Sequence, residues 1–101
     1  MTKVLFIDNG IEFDSKALRD RPYGGAEVAF VSLVENLAKI GLKVKVYNNC
    51  INEGLINRVE WRKIHRKIEY ERFDALVINR GDKYLNFQEE CKNRIFWIHN
   101  P

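Results

Sequence analysis

Four short groups of residues in this chain carry side chains, or lack them, in a way suited to chemistry. They are Asp8-Asn9-Gly10, Gly24-Gly25, Asn79-Arg80 and His99-Asn100. The glycine pair opens an amphipathic segment, and without side chains it lets a ligand approach the backbone closely. The first turn of a helix offers free N–H groups and a partial positive charge, which suit a phosphate. A glycine-rich turn that merely starts a helix has the same composition. Arg80 can meet a phosphate or pair with a carboxylate. His99 closes an apolar run, where a histidine is either a functional group or a hydrogen-bonded core residue. Asp8 either touches a ligand or caps the loop backbone.

These groups need a scaffold, and the stretch Tyr23 to Gly41 organises it. Ala26, Ala29, Phe30, Leu33, Val34, Leu37, Ala38 and Ile40 fall at helical spacing, with Ser32, Glu35, Asn36 and Lys39 on the opposite face. The spacing predicts a helix from Gly25 to Ile40, ended by Gly41 in a left-handed conformation. Lys3 to Asp8 is a near-continuous apolar run, the mark of a strand buried on both faces. Residues 10–23 form a long polar loop, and long ordered loops tend to be functional. Lys43 to Tyr47 alternates valine with lysine, which predicts a less buried, peripheral strand. Asn48, Asn49 and Asn52 fall in a loop with Gly54. Further on, Val59 to Arg62 reads as a short strand, and Ile64, Ile68 and Phe73 as one face of a short helix. Asp74 to Asn79 is a buried strand. Asp82 caps a helix from about Lys83 to Cys91, and Arg94 to His99 is the last strand. Alternating strands and helices predict a doubly wound, Rossmann-like α/β fold. Its parallel sheet has helices on both faces, the first strand central and the order 3-2-1-4-5, and its crossovers are right-handed. Ligands of such sheets bind beyond the carboxyl ends of the strands, near the reversal of strand order. All four groups land there, which makes Asn9, Gly24, Gly25, Arg80 and Asn100 the candidate substrate contacts.

With 101 residues and 46% hydrophobic content, the chain is one domain over residues 1–101. No apolar run approaches the ~20 residues needed to span a bilayer. The N-terminus reads as a first strand and not as a signal peptide. Cys50 and Cys91 match no metal or redox spacing, so the reading is a cytoplasmic chain with two inert, reduced thiols and no metal. The net charge is only +3, and the basic residues between Arg58 and Arg72 are interrupted by Glu60, Glu69 and Glu71. That is a solvated face, with His65 on it, and not a nucleic-acid surface. Arg80-Gly81-Asp82 reads as a strand end and not as an adhesion tripeptide. Trp61 and Trp97 read as core or cleft wall. A dinucleotide fingerprint is missing, because a long loop replaces the tight glycine turn and the second strand ends without a carboxylate. A Walker phosphate loop and the acidic cluster of a receiver domain are missing as well.

The combination of a first strand, a long loop, Gly24-Gly25-Ala26-Glu27, a helix ending Leu37-Ala38-Lys39-Ile40-Gly41 and the strand Lys43 to Tyr47 resembles the start of family 4 glycosyltransferases. The closing Trp97-Ile98-His99-Asn100-Pro101 resembles that family's strand ending in His and an acidic residue, with Asn100 standing where the acid is usual. The resemblance runs from Lys3 to Pro101. It implies the N-terminal, acceptor-side half of a GT-B architecture, truncated relative to the family's own N-terminal domain. It implies sugar transfer from a nucleotide-sugar donor to an acceptor, as in a retaining, metal-independent hexosyltransferase. The donor is a substrate and no cofactor is required. Gly24 and Gly25 would face the donor's diphosphate, and His99 would be the catalytic group beside the transferred sugar.

The family's donor-binding C-terminal domain, with its basic pair and Glu-x7-Glu pattern, does not occur in these residues. Such transfer needs the leaving diphosphate stabilised as charge develops, so the chain by itself is expected to be inactive or nearly so. Two other readings compete: a non-catalytic binding or assembly domain that kept the fold, and a different nucleotide-binding α/β domain. A truncated sheet would leave apolar surface near Ile95 and Trp97, so self-association through an exposed edge is expected.

Overall fold

A computed structural model describes residues 2–20, 22–64, 73–80 and 91–96, with residues 79, 80 and 91–96 described as backbone only. The elements in chain order are β1 (Lys3–Asp8), α1 (Ala17–Asp20), α2 (Gly25–Lys39), β2 (Lys43–Asn48), β3 (Gly54–Ile56), β4 (Val59–Lys63), β5 (Phe73–Arg80) and β6 (Cys91–Phe96). All six strands join one sheet in the order β3-β4-β2-β1-β5-β6. Neighbours pair in parallel except β3, which runs antiparallel to β4. The fold is α/β with a mixed, mostly parallel sheet.

This corrects the expected all-parallel sheet in order 3-2-1-4-5. The added strand is β3, and its cause is a two-residue hairpin turn between Ile56 and Val59. Asn57 and Arg58 both take positive φ, 51° and 69°. Tight hairpins need that backbone, and sequences usually meet the need with Asn-Gly. Arginine in the second position hides the turn from a reading of composition.

β2 is also corrected. It lies between β1 and β4, and Val44 to Asn48 are all buried. Lys45 does not make the strand peripheral, because its charge is neutralised in place. Its Nζ lies 3.4 Å from Glu60 Oε2 and 5.4 Å above the centre of the Tyr47 ring. Glu60 also accepts from Arg62 Nε at 2.9 Å. Burial alone would raise the Glu60 carboxyl, but the Arg62 and Lys45 contacts outweigh it and hold the group below its ordinary value.

α2 packs on one sheet face through Phe30, Val31, Val34 and Ala38, against Val4, Phe6, Val44, Val46, Val59, Trp61 and Val77. The Phe30 ring meets Phe6 edge-on at 5.6 Å. Each such buried side chain contributes about 1.5–3 kcal/mol. Gly41 takes φ 109° after the helix, as its position predicts. Ala29 and Ile40, assigned to the apolar face, are exposed instead. On the other sheet face Leu5, Ile7, Tyr47, Ile64, Phe73, Leu76 and Ile78 form a second cluster. The expected helix spanning Ile64 to Phe73 falls mostly outside the described residues; Phe73 itself opens β5. Residues 82–90 of the later helix also lie outside, while Cys91 belongs to β6, so the last strand begins earlier than Arg94.

Candidate functional site

The site is built at the carboxyl ends of β1, β2 and β5. Asp8 pairs with Asn48 on one side and with Arg80 on the other, after a register shift between Ile7 and Asp8. Strand order reverses between β1 and β5, so this is where a ligand crevice belongs in such a sheet. α2 ends at the opposite edge, near Lys43, whose N–H donates to Thr2 O at 2.8 Å. Its start therefore lies at the Asp8 end, and with it Gly24 and Gly25.

The long loop between β1 and α2 is strapped down, not free. Asn49 Nδ2 donates to Gly10 O at 2.6 Å and to Asn9 Oδ1 at 3.3 Å. Phe13 N donates to Asn49 O at 3.2 Å, and Asn48 Nδ2 donates to Phe13 O at 2.9 Å. Tyr23 Oη donates to Glu12 O at 2.8 Å and closes the loop just before the glycines.

Asp14 is the centre of the strap and is completely buried. Its Oδ1 accepts from Lys16 N and Ala17 N, which caps α1, at 3.0 and 2.8 Å. Its Oδ2 accepts from Ile51 N and Asn52 N at 2.8 and 2.7 Å. Burial pushes this carboxyl up, but the N–H groups of Ala17, Asn52 and Ile51 together hold it below its ordinary value. Beside it, Ser15 Oγ accepts from Trp61 Nε1 at 3.1 Å.

Of the candidate residues, Asn9 is exposed at the rim. Gly24 is exposed with φ −70° and ψ 167°, a backbone open to any residue. A Cβ there would come 3.1 Å from Glu27 Oε1, while a Cβ on Gly25 would meet nothing within 4 Å. Glu27 is buried in the first helical turn, so the helix start already has a carboxylate of its own beside it. Asp8 is fully buried and out of contact with solvent. Arg80 reaches the rim by its backbone, and its side chain lies outside the described residues, as do His99 and Asn100 altogether. Among the described residues no cluster of His, Cys, Asp and Glu could hold a metal. No helix among them is long and apolar enough to cross a membrane. Cys50 is a buried free thiol pushed up to about 11, first by burial and then by the charges of Asp14 and Glu53.

Sequence reasoning missed Phe13, Asp14, Ser15 and Asn48, which shape the rim from below. One signal was present: Asp14-Ser15 ahead of Ala17-Leu18 is a helix-capping sequence. Asn48 is fully buried, and its Oδ1 has no hydrogen-bond partner among the described residues. Comparison of the chain with protein-family profiles, with characterised proteins and with solved structures finds no match.

Proposed function

We propose that this chain is the acceptor-side portion of a glycosyltransferase that moves a sugar from a nucleotide-sugar donor to an acceptor. One observation carries the reading. Gly25 stands where neither backbone conformation nor packing requires a glycine, since its φ is not positive and a Cβ would have open space. A glycine at a helix start that the fold does not need leaves room for something else to approach. The place is the carboxyl-end rim of the sheet, where α2 starts after β1, and a diphosphate would find the N–H groups of the first turn there. Glu27 lowers the positive potential there, so cations must complete the anion site. Arg80, opposite Asp8 at the end of β5, is a candidate by strand register. A second domain would supply others in the GT-B arrangement that the resemblance implies. His99 and Asn100 are assigned to the sugar side of the same cleft by resemblance. The cytoplasm is the expected compartment, and the chain alone is expected to turn over little or no donor.

Gly25→Ala tests this. The alanine should leave the fold intact and stabilise it by about 0.5–1 kcal/mol, because glycine is a poor helix former. Binding of uridine, guanosine or adenosine diphosphate sugars, followed by amide NMR shifts at residues 9–10 and 24–27, should weaken about tenfold. Equal affinity in the variant would sink the diphosphate assignment, as would the lack of any shift with all three donors.

A second reading, an assembly domain, is favoured by the sheet edge. β3 is an edge strand and Leu55 on it is 73% exposed. Exposed apolar edges recruit further strands. Sedimentation of the chain should show concentration-dependent association that Leu55→Lys weakens. A clean monomer at high concentration removes this reading and leaves the transferase reading standing.

A further inference from the structure

An open groove lies at the amino ends of the strands, away from the candidate site. It is a groove of about 350 Å³ between the last half of α2 and the β3–β4 turn, lined by Glu35, Asn36, Lys39, Asn57 and Arg58. Glu35 is engaged there: its Oε2 accepts from Asn57 Nδ2 at 2.9 Å, and Asn57 Oδ1 accepts from Arg19 Nη2 at 3.5 Å. Lys39 and Arg58 have no ion-pair partner among the described residues. The groove thus presents two free cations against one carboxylate that is already hydrogen-bonded. Arg58 also holds φ 69° at a turn position where glycine is unstrained. The hairpin itself needs that backbone, and it presents an Arg58 side chain that makes no hydrogen bond among the described residues.

We propose that this groove binds a small phosphate-bearing anion between Lys39 and Arg58. Arg58 gives its planar guanidinium to two phosphate oxygens, and Lys39 adds a point charge. Asn36 and Asn57 lie beside them, placed to meet hydroxyl groups on an organic ester. The volume is at the lower end of the range for small-molecule sites, larger than free phosphate needs. The inference is independent of the glycosyltransferase reading, which concerns the other end of the sheet.

The test is titration of the whole chain with glycerol 3-phosphate and, separately, with inorganic phosphate, read by amide NMR. Saturable shifts at Asn36, Lys39, Asn57 and Arg58 are expected, with a dissociation constant on the order of 1 mM, the affinity that two charge-assisted contacts of about 2 kcal/mol each would give. Tighter binding of the ester identifies an organic phosphate as the ligand, and equal binding identifies free phosphate. Arg58→Gly relieves the turn, so its melting temperature should rise while affinity falls at least about fivefold, or about 1 kcal/mol. Lys39→Ala should lose a similar factor with the melting temperature unchanged. Shifts that stay linear to about 20 mM, well above that constant, overturn the proposal. So does unchanged affinity in both variants.

Discussion

Asp14→Ala should lower the unfolding free energy by about 4 kcal/mol, read as a shift of the urea midpoint at constant slope. Hydrogen bonds to a charged acceptor each contribute about 1.5–3 kcal/mol, and they are not additive here because all end on one carboxylate. Four backbone N–H groups lose their acceptor: Lys16, Ala17, Ile51 and Asn52. The first pair lies at the start of α1, where water can reach the exposed Lys16. The Ala17 bond is buried and those from Ile51 and Asn52 are half-buried, so these three N–H groups take most of the cost. Asp14→Asn should be nearly as damaging, since a carboxamide keeps one acceptor oxygen and turns an NH2 group toward N–H donors.

The same residue sets an acid limit. The Asp14 carboxyl is held below its ordinary value of 3.8 in the folded state. A depressed folded pKa makes the unfolded chain bind the proton more tightly. Its stabilisation is therefore complete above the unfolded value. It is lost as pH falls from there through the folded value. Urea midpoints of the parent chain should drop through that acid window, and Asp14→Asn should remove this part of the slope. A slope unchanged in the asparagine variant would assign the acid loss to other carboxylates.

How much of this was legible in the sequence depends on the element. The valines, leucines and isoleucines of β1 and β5 are so continuous that a buried parallel strand is their only economical reading, and α2 declares itself by period and by Gly41. Alternation of valine and lysine in β2 looks like half-exposure; Glu60 and Tyr47, which house the Lys45 charge, are far away in the chain or on the same strand with no signal of their own. β3 was invisible because Arg58 occupies a turn position that usually announces itself with glycine. The stretch from Gly10 to Tyr23 reads as a long polar loop, but the structure sets the short helix α1 in it and buries Phe13, Asp14 and Ser15. Its partners, Asn48, Asn52 and Trp61, lie 35 or more residues on, and no local pattern reports such pairings. For the site, the glycine pair and Asn9 could be placed at the sheet's carboxyl end from the element order alone. That Glu27 would be buried beside the helix start could not, because an acidic residue at that position normally faces water.

Phe13→Ala should cost about 3–5 kcal/mol, the range for emptying a fully buried phenylalanine site. Phe13 is 0% exposed although it belongs to a loop. Its ring meets Phe30 edge-on at 5.4 Å, Trp61 at 6.1 Å and Tyr23 at 6.3 Å. It thus joins Tyr23, in the segment before Gly24, to the Phe30–Trp61 pair of α2 and β4, whose own rings lie 6.4 Å apart. Truncation leaves a cavity that the strap above it cannot fill, since Asn48 and Asn49 hold the Phe13 backbone in place by hydrogen bonds. Phe13→Leu keeps most of the volume and should cost only about 1–1.5 kcal/mol. The pairing with Asp14 makes the result sharper. Both residues anchor the same loop, so once one is lost the loop opens and the second has less left to stabilise. The double variant Phe13→Ala/Asp14→Ala should then fall short of the summed single losses by about 1 kcal/mol or more, the sign of a shared cooperative unit. Strict additivity would mean that the loop's two anchors act on separate parts of the fold. A Phe13→Ala loss below about 1 kcal/mol, less than the transfer of a single buried apolar side chain, would mean that the loop is not part of the core, and the strapped rim would no longer be a rigid platform for Asn9 and the glycine pair.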